Sequence, residues 1–277
     1  MTKTKTWLIT GASKGLGLAL AKTLLKAGYR VAATSRSKDA LVQELGSASA
    51  SFLPQAVDLT SEASVQEGVR EAIDHFQTLD VVVNNAGYGI GGAVEELSMD
   101  EIRQCFDVNL FGTIHVIRAV LPQLRRQRSG HIINIASIAG FAAATGWSVY
   151  GATKFAMVGL SEVLADDVRS LGIKVTVVAP GAFRTQFLTD ESIVVAENSI
   201  ADYTDVHASH ERYFAMSGHQ AGDPQKAAAA LITLAESNDP PVRLFLGSDA
   251  YTRATVKLDV IKTDLENWKT LTHSTNF

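Results

Sequence analysis

Short apolar runs rich in Val, Ile and Leu alternate along this chain with longer segments whose apolar residues recur at helical spacing. The runs at 7–9, 30–35, 52–57, 80–83, 131–135, 174–179 and 241–246 are too short for helices and read as strands. Between them, helical periodicity covers 16–27, where leucines at 16, 20 and 24 form one stripe, a short piece around Leu41 and Leu45, and 61–76, 99–126, 148–171 and 224–237. The strand runs are continuously apolar rather than alternating, so both faces of the sheet are expected to be covered. Strand and helix in alternation predict an α/β fold, a doubly wound parallel sheet of about seven strands. Ligands of such sheets bind beyond the carboxyl ends of the strands. Segment 182–222 is long and irregular for a plain connection, and the tail from Asp249 has helical patterning without recognisable chemistry.

With 277 residues, 46% of them hydrophobic, the chain can build one large core, and no linker, repeat or low-complexity stretch divides it. A net charge of −4 gives no reason to expect nucleic acid or an anionic membrane as partner. Arg125, Arg126 and Arg128 fall where a long helix should end and complement its dipole. The single cysteine, Cys105, excludes an internal disulfide and reads as a small core residue in a reducing compartment. Residues 1–6 are polar and lead straight into a strand, and no apolar run reaches the ~18 residues of a membrane span. A soluble, cytoplasmic protein without a metal site is expected.

Between the first strand and first helix lies Thr10-Gly11-Ala12-Ser13-Lys14-Gly15-Leu16-Gly17. Glycines there let the backbone turn sharply and approach a pyrophosphate, and the helix start offers free N–H groups and a favourable dipole. No Gly-Lys-Ser/Thr follows, which disfavours a nucleotide triphosphatase. The second strand ends Thr34-Ser35-Arg36, with no acid before Asp39. An NAD site usually places an acid there for the ribose 2′-hydroxyl. Arg36, with Lys14 within reach of the same region, suits a 2′-phosphate instead, so NADP(H) is the expected cofactor.

Tyr150 and Lys154 stand four residues apart in a helical segment, hence on one face and about ~6 Å apart along the axis. A phenol ionises near pH ~10, and bringing that to about 7 takes roughly 4 kcal/mol of preference for the phenolate. One ammonium at ~4 Å and an effective dielectric of ~20 supplies about that much.

These motifs, in this order, strongly resemble the short-chain dehydrogenase/reductase family over roughly residues 5–250. The resemblance rests on the Thr10–Gly17 turn, on Asn84-Asn85-Ala86-Gly87 after the fourth strand, on Asn109, Ser137, Tyr150 and Lys154, and on Pro180-Gly181 with Thr185 behind it. It implies that Ser137 hydrogen-bonds the substrate oxygen and that Tyr150 passes it a proton. Lys154 would lower the phenol's pKa and hold the nicotinamide ribose, while Asn109, through its helix backbone, would hold a water linking Lys154 to solvent. It implies cofactor contacts at Gly11, Ser13, Lys14, Gly15, Leu16, Gly17, Ser35, Arg36, Asp58, Leu59, Asn85, Ala86, Gly87, Pro180, Gly181 and Thr185. Asp58 and Leu59 would meet adenine, although Asp58 could equally cap the turn that follows it.

Segment 182–222 carries Phe183, Phe187, Leu188, Ile193, Val194, Tyr203, Tyr213, Phe214 and Met216. Its acids, Asp190, Glu191, Glu197, Asp202, Asp205 and Glu211, outnumber Arg184 and Arg212. With Tyr88, Ile90, Ile138, Phe141 and 142–144 nearby, these residues predict an apolar pocket for a neutral ketone, aldehyde or alcohol. The alternatives are an oxidative alcohol, sugar or steroid dehydrogenase, or a non-catalytic NADP-binding sensor. Phe111, Val116, Ile117 and Val120 on one helix and Phe155, Met157, Val158 and Leu160 on another read as more apolar surface than one stripe needs. Relatives of this kind commonly pair these helices across a two-fold axis, so a homodimer or homotetramer is expected.

Overall fold

The computed structural model describes residues 4–189 and 192–277. Its central sheet orders seven strands β3-β2-β1-β4-β6-β7-β9, every neighbouring pair parallel. These are β1 (Thr6–Thr10), β2 (Arg30–Ser35), β3 (Phe52–Ala56), β4 (Val81–Asn84), β6 (Gly130–Ile135), β7 (Ile173–Pro180) and β9 (Arg243–Leu246). The chain runs outward from β1 to β3, then returns across β1 to build β4 and onward. That reversal opens a crevice between the ends of β1 and β4.

Both faces of the sheet are sealed. Helices α1 (Gly15–Lys26), α2 (Lys38–Leu45) and α8 (Pro224–Glu236) cover one, burying Leu20, Leu24, Leu41 and Leu231 against Ile9, Val31 and Val83. Helices α3 (Glu62–Phe76), α5 (Gly112–Gln127) and α6 (Ser148–Arg169) cover the other, around Leu8, Val82, Val120, Leu124 and Ile132. Ser37 and Ser61 cap α2 and α3 by accepting Ala40 and Ser64 N–H groups, and Asp223 caps α8 ahead of Pro224.

The expected helix 99–126 is interrupted. It consists of α4 (Met99–Phe106), a π turn at Asp107–Phe111 and α5, and it is long and apolar enough by composition to cross a membrane. Its apolar residues are otherwise engaged: Val116, Ile117, Val120 and Leu124 are buried on the sheet. This corrects the reading of excess apolar surface. At about 100° per residue Val116, Ile117 and Val120 form one inward arc with Phe111 opposite, and Met157, Val158 and Leu160 do the same opposite Phe155. Of the eight residues, Phe111 (48%) and Phe155 (46%) stand out to solvent; Val116, Ile117, Val120, Met157 and Val158 are buried and Leu160 is half-buried.

Segment 182–222 is more ordered than its sequence suggests. It contains β8 (Ile193–Val195), which pairs in parallel with β5 (Gly89–Gly91), and α7 (Thr204–Ala215). Asp190 and Glu191 lie outside the described residues. The tail forms α9 (Ser248–Asn267) and α10 (Lys269–His273).

A buried polar chain fixes α6 to the sheet. Asn84 Nδ2 donates to Asn134 Oδ1 (2.8 Å), Asn134 Nδ2 to Ser161 Oγ (2.8 Å), and Ser161 Oγ to the Met157 carbonyl (2.7 Å). Asn134→Ala strands two of these groups, each worth about 1–3 kcal/mol when left unpaired in a core. Urea unfolding should show a loss of at least that size, and an unchanged midpoint would refute the role assigned to this chain.

Candidate active site

The glycine turn sits at the crevice between β1 and β4, held by a side chain from the neighbouring strand. Asn85 Nδ2 donates to the carbonyls of Thr10 and Gly11, both at 3.0 Å. Thr10 Oγ1 in return accepts the N–H groups of Asn85 (3.0 Å) and Ala86 (3.1 Å). Gly11 adopts φ +64, and a Cβ there would stand 2.8 Å from Ala86 Cα. At Gly17 a Cβ would fall 2.6 Å from the Gly11 carbonyl oxygen and collide with Asn85. The turn therefore closes only with glycine, leaving a backbone-lined cradle at the start of α1. Ser13, Lys14, Gly15 and Leu16 form its rim, and Thr185 Cβ would lie 3.9 Å from a Cβ at Gly15 across the mouth. These residues fit a dinucleotide pyrophosphate.

Arg36 stands exposed at the end of β2. Its charge reaches Asp58, whose carboxyl is held below the usual range first by the Thr60 hydroxyl and amide and then by the Arg36 charge. Asp58 Oδ1 accepts from Thr60 Oγ1 (2.7 Å) and Thr60 N (2.9 Å), so it caps the turn before α3. Ser35 Oγ is likewise engaged with the Ser37 backbone at 3.0 Å, and Leu59 packs where Gly112 leaves space for it.

Tyr150 and Lys154 lie one turn apart near the start of α6, with the Lys154 Nζ 5.8 Å from the phenol ring centroid. Nζ donates to the Ile135 carbonyl at the end of β6 (3.1 Å) and faces Gly87, where a Cβ would come within 3.4 Å of it. Ser137, just past β6, hydrogen-bonds the phenol, and its Oγ also accepts the Ala139 N–H (3.1 Å). Asn109 sits in the π turn, fully buried. Its amide takes both backbone groups of Tyr88 (3.0 and 2.9 Å) and reaches Thr153 Oγ1 (3.3 Å), while Thr113 Oγ1 donates to its carbonyl (3.2 Å). Ser137, Tyr150, Lys154 and Asn109 are thus drawn from three elements into one neighbourhood.

The electrostatics overturn one expectation. Burial raises the Tyr150 pKa above its ordinary value, and the Ser137 hydrogen bond only partly offsets this. Burial also lowers Lys154, to about 8. Both side chains are more than nine-tenths buried, so each is shifted toward its neutral form, and desolvation outweighs the attraction expected from an ammonium one turn away. Burial likewise pushes the Cys105 thiol up to about 11, in keeping with a core residue.

Around the phenol stands an aromatic wall. Trp147 lies edge-on to Tyr150 (6.4 Å between centroids), His210 (5.1 Å) and Tyr213 (5.2 Å), and Phe187 is tilted against Tyr150 at 6.1 Å. Ile90, Leu188, Ile193 and Phe214 belong to the same cluster. Other expected pocket residues go elsewhere. Phe141 and Ala142 pack on Ala250 and Ala254, Val194 and Met216 are exposed, and Tyr203 bonds Glu95. Helix α7 is held over this wall by Ser209 Oγ to the Thr145 carbonyl (2.8 Å), His210 with the Gly146 carbonyl (2.9 Å), and His207 with buried Glu96 (2.8 Å).

Two residues escaped the sequence reading. Trp147, three before Tyr150 and so on its face of the helix, could have been found by that spacing. Asp249 could not. Its Oδ2 accepts the Ala182 N–H (2.8 Å), and a Cβ at Gly181 would collide with its carboxylate, so it holds the Pro180–Gly181 turn from behind.

The family described as short chain dehydrogenase matches residues 5–193, and the chain belongs to that family. It is similar to an oxidoreductase of Botryotinia fuckeliana, BOA17, 38% identical over 97% of this chain and 98% of that one. It is also similar to a 3-ketodihydrosphingosine reductase of Bacteroides thetaiotaomicron, 35% identical over 87% of each. Among solved structures, a short-chain dehydrogenase from Streptomyces avermitilis superposes over 100% of both chains with a TM-score of 0.91 at 35% identity. Other solved chains of the same fold hold NAD or NADP. The protein is an oxidoreductase of the short-chain dehydrogenase/reductase family.

The Lys154 charge can be tested directly. Following its Nζ resonance by 15N NMR, assigned with Lys154→Met, should give a midpoint near 8 in the unliganded chain. A midpoint near the ordinary ~10.4 would show that burial does not govern this amine.

Proposed function

We propose that this chain is an NADP(H)-dependent reductase that interconverts a ketone or aldehyde with an alcohol on a neutral, mainly hydrophobic substrate. One observation carries the reading: a buried phenol, flanked by Ser137 and Lys154, stands between a backbone cradle and an aromatic wall. A bound nicotinamide would supply the hydride for the carbonyl carbon. The chain's residues do the rest. Ser137 orients the substrate oxygen by hydrogen bonding. Tyr150, protonated because its pKa is raised, gives that oxygen the proton it needs as the alcohol forms. Lys154, close to neutrality at pH 8, returns a proton to the phenolate side of the site. Asn109 keeps the π turn and the Tyr88 strand in register beside it.

A carbonyl flanked by Trp147, Phe187 and Tyr213 meets little that could pair a charge, which favours an uncharged, apolar substrate. The relative named for reduction of 3-ketodihydrosphingosine, a long-chain ketone, supports that class. For the cofactor, Arg36 at the end of β2 supports the 2′-phosphate form, and Lys14 on the cradle rim adds charge of the same sign. The raised phenol pKa keeps Tyr150 in the protonated form that reduction draws on, and the same group serves the reverse, oxidative direction. The intact Ser137, Tyr150 and Lys154 set disfavours a non-catalytic sensor.

Tyr150→Phe removes the proton and keeps the ring. Carbonyl reduction should fall at least ~10²-fold with NADPH binding retained, and near-normal turnover would sink the assignment. Arg36→Asp should cost NADPH about 1.5–3 kcal/mol of binding or more and leave NADH much less affected, as read by titration calorimetry. A wild-type preference for NADH would refute the 2′-phosphate site.

A further inference from the structure

Helix α9 begins inside the molecule and ends outside it. Ala250 and Ala254 are buried against Ile138, and Arg253 donates to the Ala142 carbonyl. From residue 255 onward nearly every position is exposed. On this free portion Leu258 (54%), Ile261 (38%), Leu265 (65%) and Trp268 (62%) recur at steps of three, four and three, and Tyr251 (69%) extends the stripe one heptad back. Val256 and Val260 lie on the opposite side. A stripe at this spacing is the seam of a two-helix coil.

The helix is poorly equipped to stand alone. Thr252, Thr255, Val256, Val260, Ile261 and Thr263 are β-branched, and its N-cap, Gly247, makes no side-chain cap. Past Ala254 it buries nothing, and helices of such composition form mainly through packing of an apolar face. That packing has to come from outside this copy of the chain.

We propose that the stripe Tyr251, Leu258, Ile261, Leu265 and Trp268 pairs with the same stripe of a second copy, joining two protomers through their C-terminal helices. Area and charge select this occupant. The five side chains expose on the order of 600 Å² per copy, so a symmetric pair would bury about 1,200 Å², the lower bound for a specific interface. The free segment carries Lys257, Lys262 and Lys269 against Asp259, Asp264 and Glu266, three of each sign. A balanced face suits a self-pair, whereas a helix lying on an anionic lipid surface is enriched in Lys and Arg. This surface is separate from the Phe111 and Phe155 faces of α5 and α6. The proposal does not depend on the substrate reading above.

Light scattering after gel filtration of the full chain at micromolar concentration tests it, comparing wild type with L265E/W268E. Neither side chain is buried in the monomer, so the fold should be kept, with the buried Trp7 and Trp147 still giving a blue-shifted emission. The variant's mass should fall to half that of wild type, with NADPH binding retained. An equal mass for both would overturn the proposal, as would a wild-type species of 29.6 kDa. Sedimentation with phosphatidylcholine/phosphatidylserine vesicles forms the second arm. Vesicle binding by a monomeric wild type, lost in the variant, would also overturn it and assign the stripe to a lipid surface.

Discussion

The site depends on one clamp. Two carbonyls at the end of β1 point into the crevice opened by the reversal of strand order, and the Asn85 amide ties both to β4. That short bridge brings Gly17 against Gly11 and leaves the α1 N-terminus uncovered. The neighbouring residues of the same motif, Ala86 and Gly87, then lie against the glycine turn on one side and Lys154 on the other. The glycine turn and the Lys154 amine thus both lie against a single loop.

The second constraint is desolvation. A phenol and an amine, both buried, were expected to charge one another, yet each is pushed toward neutrality. Among the described residues the lysine amine donates to the Ile135 carbonyl, and one carbonyl does not replace a hydration shell. The chemistry open to such a pair is proton donation by a neutral phenol. The aromatic wall packed around Tyr150 helps create this low-dielectric setting.

Much of this was legible in the sequence. Continuous Val and Ile runs separated by amphipathic segments fixed the seven-strand sheet, because strand burial on both faces leaves that signature. Gly11, Gly17, Tyr150 and Lys154 stood out by their spacing, and Asn85 and Ser137 through the family resemblance. What escaped depends on tertiary contact. The π turn around Asn109 has no marker in composition, and β5 and β8 are three residues each, too short for periodicity. Counting apolar residues misjudged Val116, Ile117 and Met157, whose angular positions place them inward. Asp249 looked like an ordinary first-turn acid because its partner, Ala182, lies 67 residues away and offers only a backbone N–H.

That last contact bears on the order in which the molecule is made. A domain folds as a unit, and its N-terminal residues emerge first during synthesis. The cradle, the π turn and the Tyr150 helix all precede residue 170, so they are made before the segments they pack on. The Pro180–Gly181 turn cannot be finished then, since the carboxylate that fastens it arrives with the first turn of α9. The turn at Pro180–Gly181 therefore gains its fastening only after residue 249 has been added and the start of α9 has docked.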